Sequence, residues 1–120
     1  MSYYTKSKFY NDYSQKERRD EFERIINKYP DRFPVIIEKG ESELQEIRRK
    51  KYLIPNDLTI GQLLIVVRKN IDTFDAEKAL FIMAGETIMS ASKEIKIIYN
   101  DLKANDGFLY LNYYGEKTFG

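Results

Sequence analysis

Two capping boxes constrain this chain more than any other feature. Ser14-Gln15-Lys16-Glu17 and Thr59-Ile60-Gly61-Gln62 each place a hydroxyl residue three positions before Glu or Gln. The hydroxyl accepts from the third amide while the longer side chain reaches back to the first, so both boxes mark helix starts. Behind the first box Arg18, Phe22, Ile25, Ile26 and Tyr29 recur at helical spacing and form one face. Pro30 ends that helix, because the residue before proline is pushed out of the α region. Behind the second box come Leu63, Leu64, Val66, Val67 and Ile71.

Between and beyond the boxes lie short apolar, β-branched runs. Phe33-Pro34-Val35-Ile36-Ile37 reads as a strand with Pro34 near its start, where a missing N–H is tolerated. Gly40 to Arg48 is a polar connection, and Lys50 to Pro55 is a second strand. Ala79 to Ala84 is a third strand, followed by a turn at Gly85-Glu86. Ser92 is expected to cap a last helix with Ile95, Ile98, Tyr99 and Leu102 inward, and Asn105-Asp106-Gly107 turns into a final strand, Phe108 to Tyr113. The order helix, strand, strand, helix, strand, helix, strand is α+β and fits a β-grasp sheet wrapped on its central helix. Pattern alone does not give the strand order. The boundaries expected are 1–30 for an N-terminal helical extension packed on the core, 31–114 for the core and 115–120 for a tail, within a single domain. The aromatic N-terminus (Tyr3, Tyr4, Phe9, Tyr10, Tyr13) reads as a helix packed on the domain, with a partner-binding or membrane-touching role as the alternative.

Composition narrows the chemistry. The 120 residues contain no cysteine and no histidine, which excludes disulfides, thiolate nucleophiles, Cys/His zinc sites and imidazole bases. The carboxylates Glu21, Glu38, Asp57 and Asp106 read as scattered, solvated positions without an acid/base pair, and no phosphate-cradling glycine loop is present. The expectation is therefore a non-enzyme without metal or cofactor. Net charge is +1, so no global field draws the chain to nucleic acid. No apolar run approaches the roughly 18 residues of a spanning helix, and the polar N-terminus does not read as a signal peptide. A cytoplasmic location is expected.

The tail reads differently from the rest. Gly120 stands behind Phe119 after a polar stretch. Glycine lacks a Cβ, threads narrow clefts and, when acylated, offers an incoming amine an unhindered carbonyl. That is what a tail needs if its own carboxylate is to be activated.

The stretches Lys28 to Lys39, Lys50 to Gln62, Val67-Arg68-Lys69, Asp106 to Tyr110 and on through Tyr113, Gly115, Glu116 and Thr118-Phe119-Gly120 resemble the GABARAP-like family, the ubiquitin-like modifiers of autophagy. The similarity covers about residues 9–120, in order and in spacing. It implies a ubiquitin-like β-grasp with a four-stranded mixed sheet and two additional N-terminal helices. It also implies conjugation of Gly120 to phosphatidylethanolamine, with Phe119 recognised in the tail. The partners implied are ubiquitin-like activating and conjugating enzymes, a processing and delipidating cysteine protease, and cargo receptors. Localisation would extend to the autophagosome membrane when lipidated. A diacyl anchor makes physical sense, since one acyl chain holds a protein only marginally and two hold it stably.

Family members bind a short peptide, with an aromatic and an aliphatic residue three apart, as a strand added to an exposed sheet edge. Here the edge implied is Lys51-Tyr52-Leu53. The aromatic pocket implied is Glu21, Ile25, Pro34, Ile36, Lys51, Leu53 and Phe108. The aliphatic pocket implied is Tyr52, Ile54, Pro55, Leu58, Leu63 and Val66. Arg32, Arg48, Arg49 and Lys50 are available to acidic residues flanking such a motif; the bland reading of the basic run is a solvated face. This chain departs from the family's pattern at Met89-Ser90, where a diproline is common, at Gly85-Glu86, where paired asparagines are common, at Asn70, which replaces a base, and at Leu63, which replaces an aromatic. Two other function classes remain: a non-lipidated adaptor or cytoskeleton-binding module of the same fold, and a modifier attached to proteins. The tail favours conjugation over the first, and the Lys51–Asp57 segment favours the lipid-conjugated branch over the second.

Overall fold

The computed structural model describes residues 3–41, 44–71 and 79–115. A 3-10 turn at Tyr3–Lys6 leads into helices α1 (Lys8–Asp12) and α2 (Gln15–Lys28), then strands β1 (Phe33–Lys39) and β2 (Lys51–Ile54). Helix α3 (Ile60–Lys69), strands β3 (Leu80–Ala84) and β4 (Thr87–Ile88), helix α4 (Ile95–Leu102) and strand β5 (Leu109–Gly115) follow. Both capping boxes form: the Ser14 hydroxyl accepts from the Glu17 amide at 3.1 Å while the Ser14 amide donates to Glu17 at 2.8 Å. The Thr59 and Gln62 pair repeats the arrangement at 3.3 and 2.9 Å. Helix α2 ends at Lys28, two residues short of Pro30.

The sheet order is β2-β1-β5-β3-β4. Strands β1 and β5 run parallel at its centre, and every other pair is antiparallel. A central strand covered on both faces loses the in/out alternation of a half-solvated one, and β1 is buried without a break from Pro34 to Glu38. On one face Val35, Ile37, Tyr52, Ile54, Ile82, Leu109 and Leu111 pack against α3 and α4 through Ile60, Leu63, Val67, Ile95 and Ile98. On the other, Ile36, Phe108 and Tyr110 meet Ile25 and Phe22 of α2 and the aromatic N-terminal segment. The Phe9 and Phe108 rings approach edge-on at 5.3 Å, and Tyr4 stacks on Tyr110 at 5.5 Å. Each fully buried side chain of this size contributes about 1.5–3 kcal/mol.

Polar groups anchor the helical side. The Arg18 Nε donates to Asp106 at 2.8 Å, and its Nη1 donates to the carbonyls of Tyr10 and Tyr13 at 2.8 and 2.6 Å. Asp106 also accepts from the Phe108 amide at 2.9 Å and the Tyr110 hydroxyl at 2.6 Å. Burial and this carboxylate push the Tyr110 phenol far above its ordinary range. The turn beside Asp106 requires its glycine: Gly107 has φ +98, and a Cβ there would lie 2.4 Å from the Phe22 ring. Glu38 accepts from the Ser7 hydroxyl at 2.5 Å, the Phe9 amide at 3.0 Å and Lys50 at 3.1 Å, so it clasps α1 to the sheet.

The structure corrects several expectations. The sheet has five strands and not four, because Thr87 and Ile88 fold back across Gly85-Glu86 and pair with Ala84 and Met83. The last helix starts at Ile95 with Glu94 as its cap residue, and not at Ser92. The reason is that the carbonyls of Lys93 and Ala91 accept the amides of Ile60 and Gly61 at 2.9 and 2.8 Å, satisfying two of the orphan donors at the start of α3. Glu38 and Asp106 are buried and bonded, not solvated. On α2, Arg18 is buried and Tyr29, expected on the same inner face, is exposed.

Candidate functional site

Strand β2 ends the sheet, and among the described residues no strand pairs with its outer side. The Ile37 amide donates to the Lys50 carbonyl at 2.8 Å, and Val35 sits opposite Tyr52. Antiparallel pairing alternates inward and outward residues. The backbone groups of Lys51 and Leu53 therefore face away from β1, while those of Tyr52 face it. The Leu53 carbonyl accepts a long, exposed bond from Arg32 at 3.3 Å, consistent with that direction. An unpaired row of this kind is a template for another strand.

The two side-chain faces of β2 meet different surroundings. Lys51 lies opposite Ile36 and Leu53 opposite Pro34, on the α2 side. There Leu53 packs on the cluster of Ile25, Ile36 and Phe108. Lys51 forms an ion pair with Glu21, which Arg24 also holds through two bonds at 2.7 and 3.0 Å. Those partners, Arg24 first, hold the Glu21 carboxyl down at about 2. The structure thus brings all seven residues expected for the aromatic pocket to one face of the sheet beside α2. Ile25, Pro34, Ile36 and Phe108 are buried beneath the half-buried Leu53, Lys51 and Glu21.

On the α3 side the six residues expected for the aliphatic pocket divide by depth. Tyr52, Ile54 and Leu63 are core residues, with Leu63 fully buried. Pro55 and Leu58 are half-buried and Val66 is exposed, so these three present the accessible surface. The Tyr52 hydroxyl is buried without a hydrogen-bond partner among the described residues. Burial pushes this phenol up to about 12.

The basic residues are dispersed. Lys50 turns to the buried Glu38 on the α1 side, and Arg48 donates to the Lys69 carbonyl at the end of α3. Arg49 is exposed, and Arg32 sits at the opposite end of β2 over Leu53. Phe119 and Gly120 lie outside the described residues. Among the described residues no cluster of carboxylates could hold a metal ion, and no helix is long and apolar enough to cross a membrane.

Sequence reasoning missed two features. One is the Arg18–Asp106 anchor, whose signal was Arg18 standing in the inward register of α2, four residues before Phe22. The other is a cleft of about 430 Å³ continuing from the Lys51 end of β2, between α1 and α2. Phe9 and Tyr13 line it, as do Glu17, Arg18, Asp20, Glu21 and Arg24 of α2. The α2 residues recur at helical spacing, but only the placement of α1 shows that they face a cleft.

A mixed five-stranded sheet with a parallel central pair, helices on both faces and an open β2 edge defines a ubiquitin-like protein. Residues 17–120 match the family described as "Autophagy protein Atg8 ubiquitin like". The chain is 47% identical over 116 residues to autophagy-related protein 8 of Schizosaccharomyces pombe, covering 96% of this chain and 95% of that one. It is 49% identical over 111 residues to autophagy-related protein 8e of Arabidopsis thaliana, covering 92% and 88%. The crystal structure of Trypanosoma brucei ATG8 superposes with a TM-score of 0.88 at 38% identity, covering 97% of this chain and all (100%) of that one. This chain belongs to the Atg8 family of autophagy; it is a ubiquitin-like protein and not an enzyme.

Proposed function

We propose that this protein is joined through the Gly120 carboxyl to the amine of phosphatidylethanolamine on the autophagosome membrane, and that it there recruits receptors through the β2 edge. The observation that carries the recruiting role is the outward-facing backbone of Lys51 and Leu53, with an apolar pocket on one side and a shallow apolar surface on the other. A peptide with an aromatic and an aliphatic residue three apart adds a strand at that edge. Successive side chains of a strand point to opposite faces, so the aromatic enters over Leu53, Ile36 and Phe108 while the aliphatic residue rests on Pro55, Leu58 and Val66. Micromolar-order affinity is expected, about −8 kcal/mol.

Arg32 couples to this event. Its bond to the Leu53 carbonyl is exposed and long, and an added strand takes that carbonyl. The freed guanidinium then meets an acidic residue at that end of the peptide. Such a contact steers association more than it deepens binding.

Support for conjugation comes from the family match, which runs through Gly120. Activating and conjugating enzymes and a cysteine protease are the partners this chemistry needs. The test is mass spectrometry of the membrane-bound protein: a diacyl phospholipid mass on the Gly120 peptide is expected, and deletion of Gly120 abolishes the membrane-bound form. Full membrane recovery of the deletion variant overturns the conjugation reading.

A further inference from the structure

We propose that the cleft between α1 and α2 is a specificity subsite for an arginine in the flank of the peptide that docks on β2. The inference rests on the edge-strand reading above and extends it. The cleft begins at Lys51, where β2 begins, so a strand paired with the edge must run past it on leaving. At about 430 Å³ it lies near the small end of ligand clefts, about 300–1,000 Å³, which suits one or two side chains.

The charge preference comes from the Glu17 and Asp20 part of the lining, because Arg18, which also lines the cleft, is paired with the buried Asp106. Phe9 and Tyr13 lie with ring centroids 5.0 Å apart, and Tyr13 is 48% exposed, so an aromatic face is offered to a guest. At the Lys51 end the Glu21 carboxylate is engaged by both Arg24 and Lys51, so that end keeps one net positive charge. Glu17, one turn nearer the start of α2, and Asp20, the residue before Glu21, add two carboxylates to the lining. Glu17 is held ionised by the Ser14 amide of its capping box. Asp20 is paired with Lys16, but both side chains are largely exposed, at 62% and 85%, and such a pair exchanges readily.

The same molecule shows how tyrosine and a carboxylate hold a guanidinium. Arg18 lies 3.8 Å from the centre of the Tyr10 ring while it donates to Asp106. Tyr13 with Asp20 and Glu17 presents the same two kinds of partner on the open side of α2. A planar guanidinium uses both, stacking on the ring and donating to a carboxylate.

The experiment titrates the full chain with synthetic peptides that share one aromatic/aliphatic core and carry Arg, Ala or Glu just outside it, on one flank or the other. Arginine on one flank only is expected to tighten binding roughly three- to tenfold over alanine, with glutamate weakest at that position. The double variant Glu17→Gln with Asp20→Asn keeps the capping box, which accepts glutamine. It is expected to bind the alanine peptide unchanged and to lose the arginine preference. Equal binding of the three peptides on both flanks, or an arginine preference that survives the double variant, overturns the subsite and leaves the edge reading standing. An alanine peptide that does not bind at all overturns the edge reading, and the subsite with it.

Discussion

Arg18 and Asp106 lie 88 positions apart and meet at 2.8 Å in the interior, with side-chain exposures of 6% and 0%. One belongs to the first turns of α2 and the other to the turn before β5. The pair therefore ties the N-terminal helices to the centre of the sheet. Removing one partner of a buried pair leaves an uncompensated charge, which costs about 3–5 kcal/mol. Asp106→Ala is expected to cost that much in urea denaturation, since it also strands the Phe108 amide and the Tyr110 hydroxyl. Arg18→Ala with Asp106→Ala together should cost less than the sum of the two single changes, because the residues share one network.

Tyr52→Phe should leave stability unchanged or raise it. The hydroxyl is buried without a partner among the described residues, and an unsatisfied buried polar group costs about 1–3 kcal/mol. The same variant changes the alkaline response. The Tyr52 phenol is raised from 10.0 to about 12 in the fold, so its contribution is fully present below about pH 10 and is lost as pH rises toward about 12. Denaturation midpoints of Tyr52→Phe should fall less steeply across that window than those of the parent chain.

Glu21 governs the acid side. Its carboxyl is lowered from 4.5 to about 2 by Arg24 and Lys51, so its contribution is present above about pH 4.5 and disappears as pH falls toward about 2. The site is partly exposed, and surface pairs contribute only about 0–1 kcal/mol. The stability gap between the parent and Glu21→Gln should therefore be small at neutral pH and vanish through that window. Titration of the Glu21 side chain by NMR should show a midpoint near 2.

Leu53→Ala should weaken peptide binding about tenfold or more while sparing the fold, since Leu53 is half-buried at the rim of the proposed aromatic site. Tyr52→Ala should instead lower stability, because Tyr52 belongs to the core. Calorimetric binding together with denaturation of each variant separates the two effects.

Local signals carried much of this fold. Both capping boxes formed where the spacing of Ser14 with Glu17 and of Thr59 with Gln62 placed them, because such bonds depend on few residues. Ser92 shows the limit. Its local pattern marks a helix start, yet the carbonyls around it serve the amides of Ile60 and Gly61, which are distant in sequence. Strand β4 has two residues, too few for an alternating pattern. Asp106 reads as a turn residue and is one, but its burial depends on Arg18 arriving from α2. In the site, period-2 geometry separated Lys51 and Leu53 from Tyr52 and Ile54. It did not show that Tyr52, Ile54 and Leu63 sink into the core, since depth depends on where α3 packs.

The most direct test of the β2 edge is amide hydrogen exchange at its residues, with and without an aromatic/aliphatic peptide. The outward amides of Lys51 and Leu53 are predicted to exchange freely in the unbound protein and to become protected in the complex, while the Tyr52 amide, directed at β1, changes little. Protection confined to other residues, with Lys51 and Leu53 exchanging as before, would contradict strand addition at this edge.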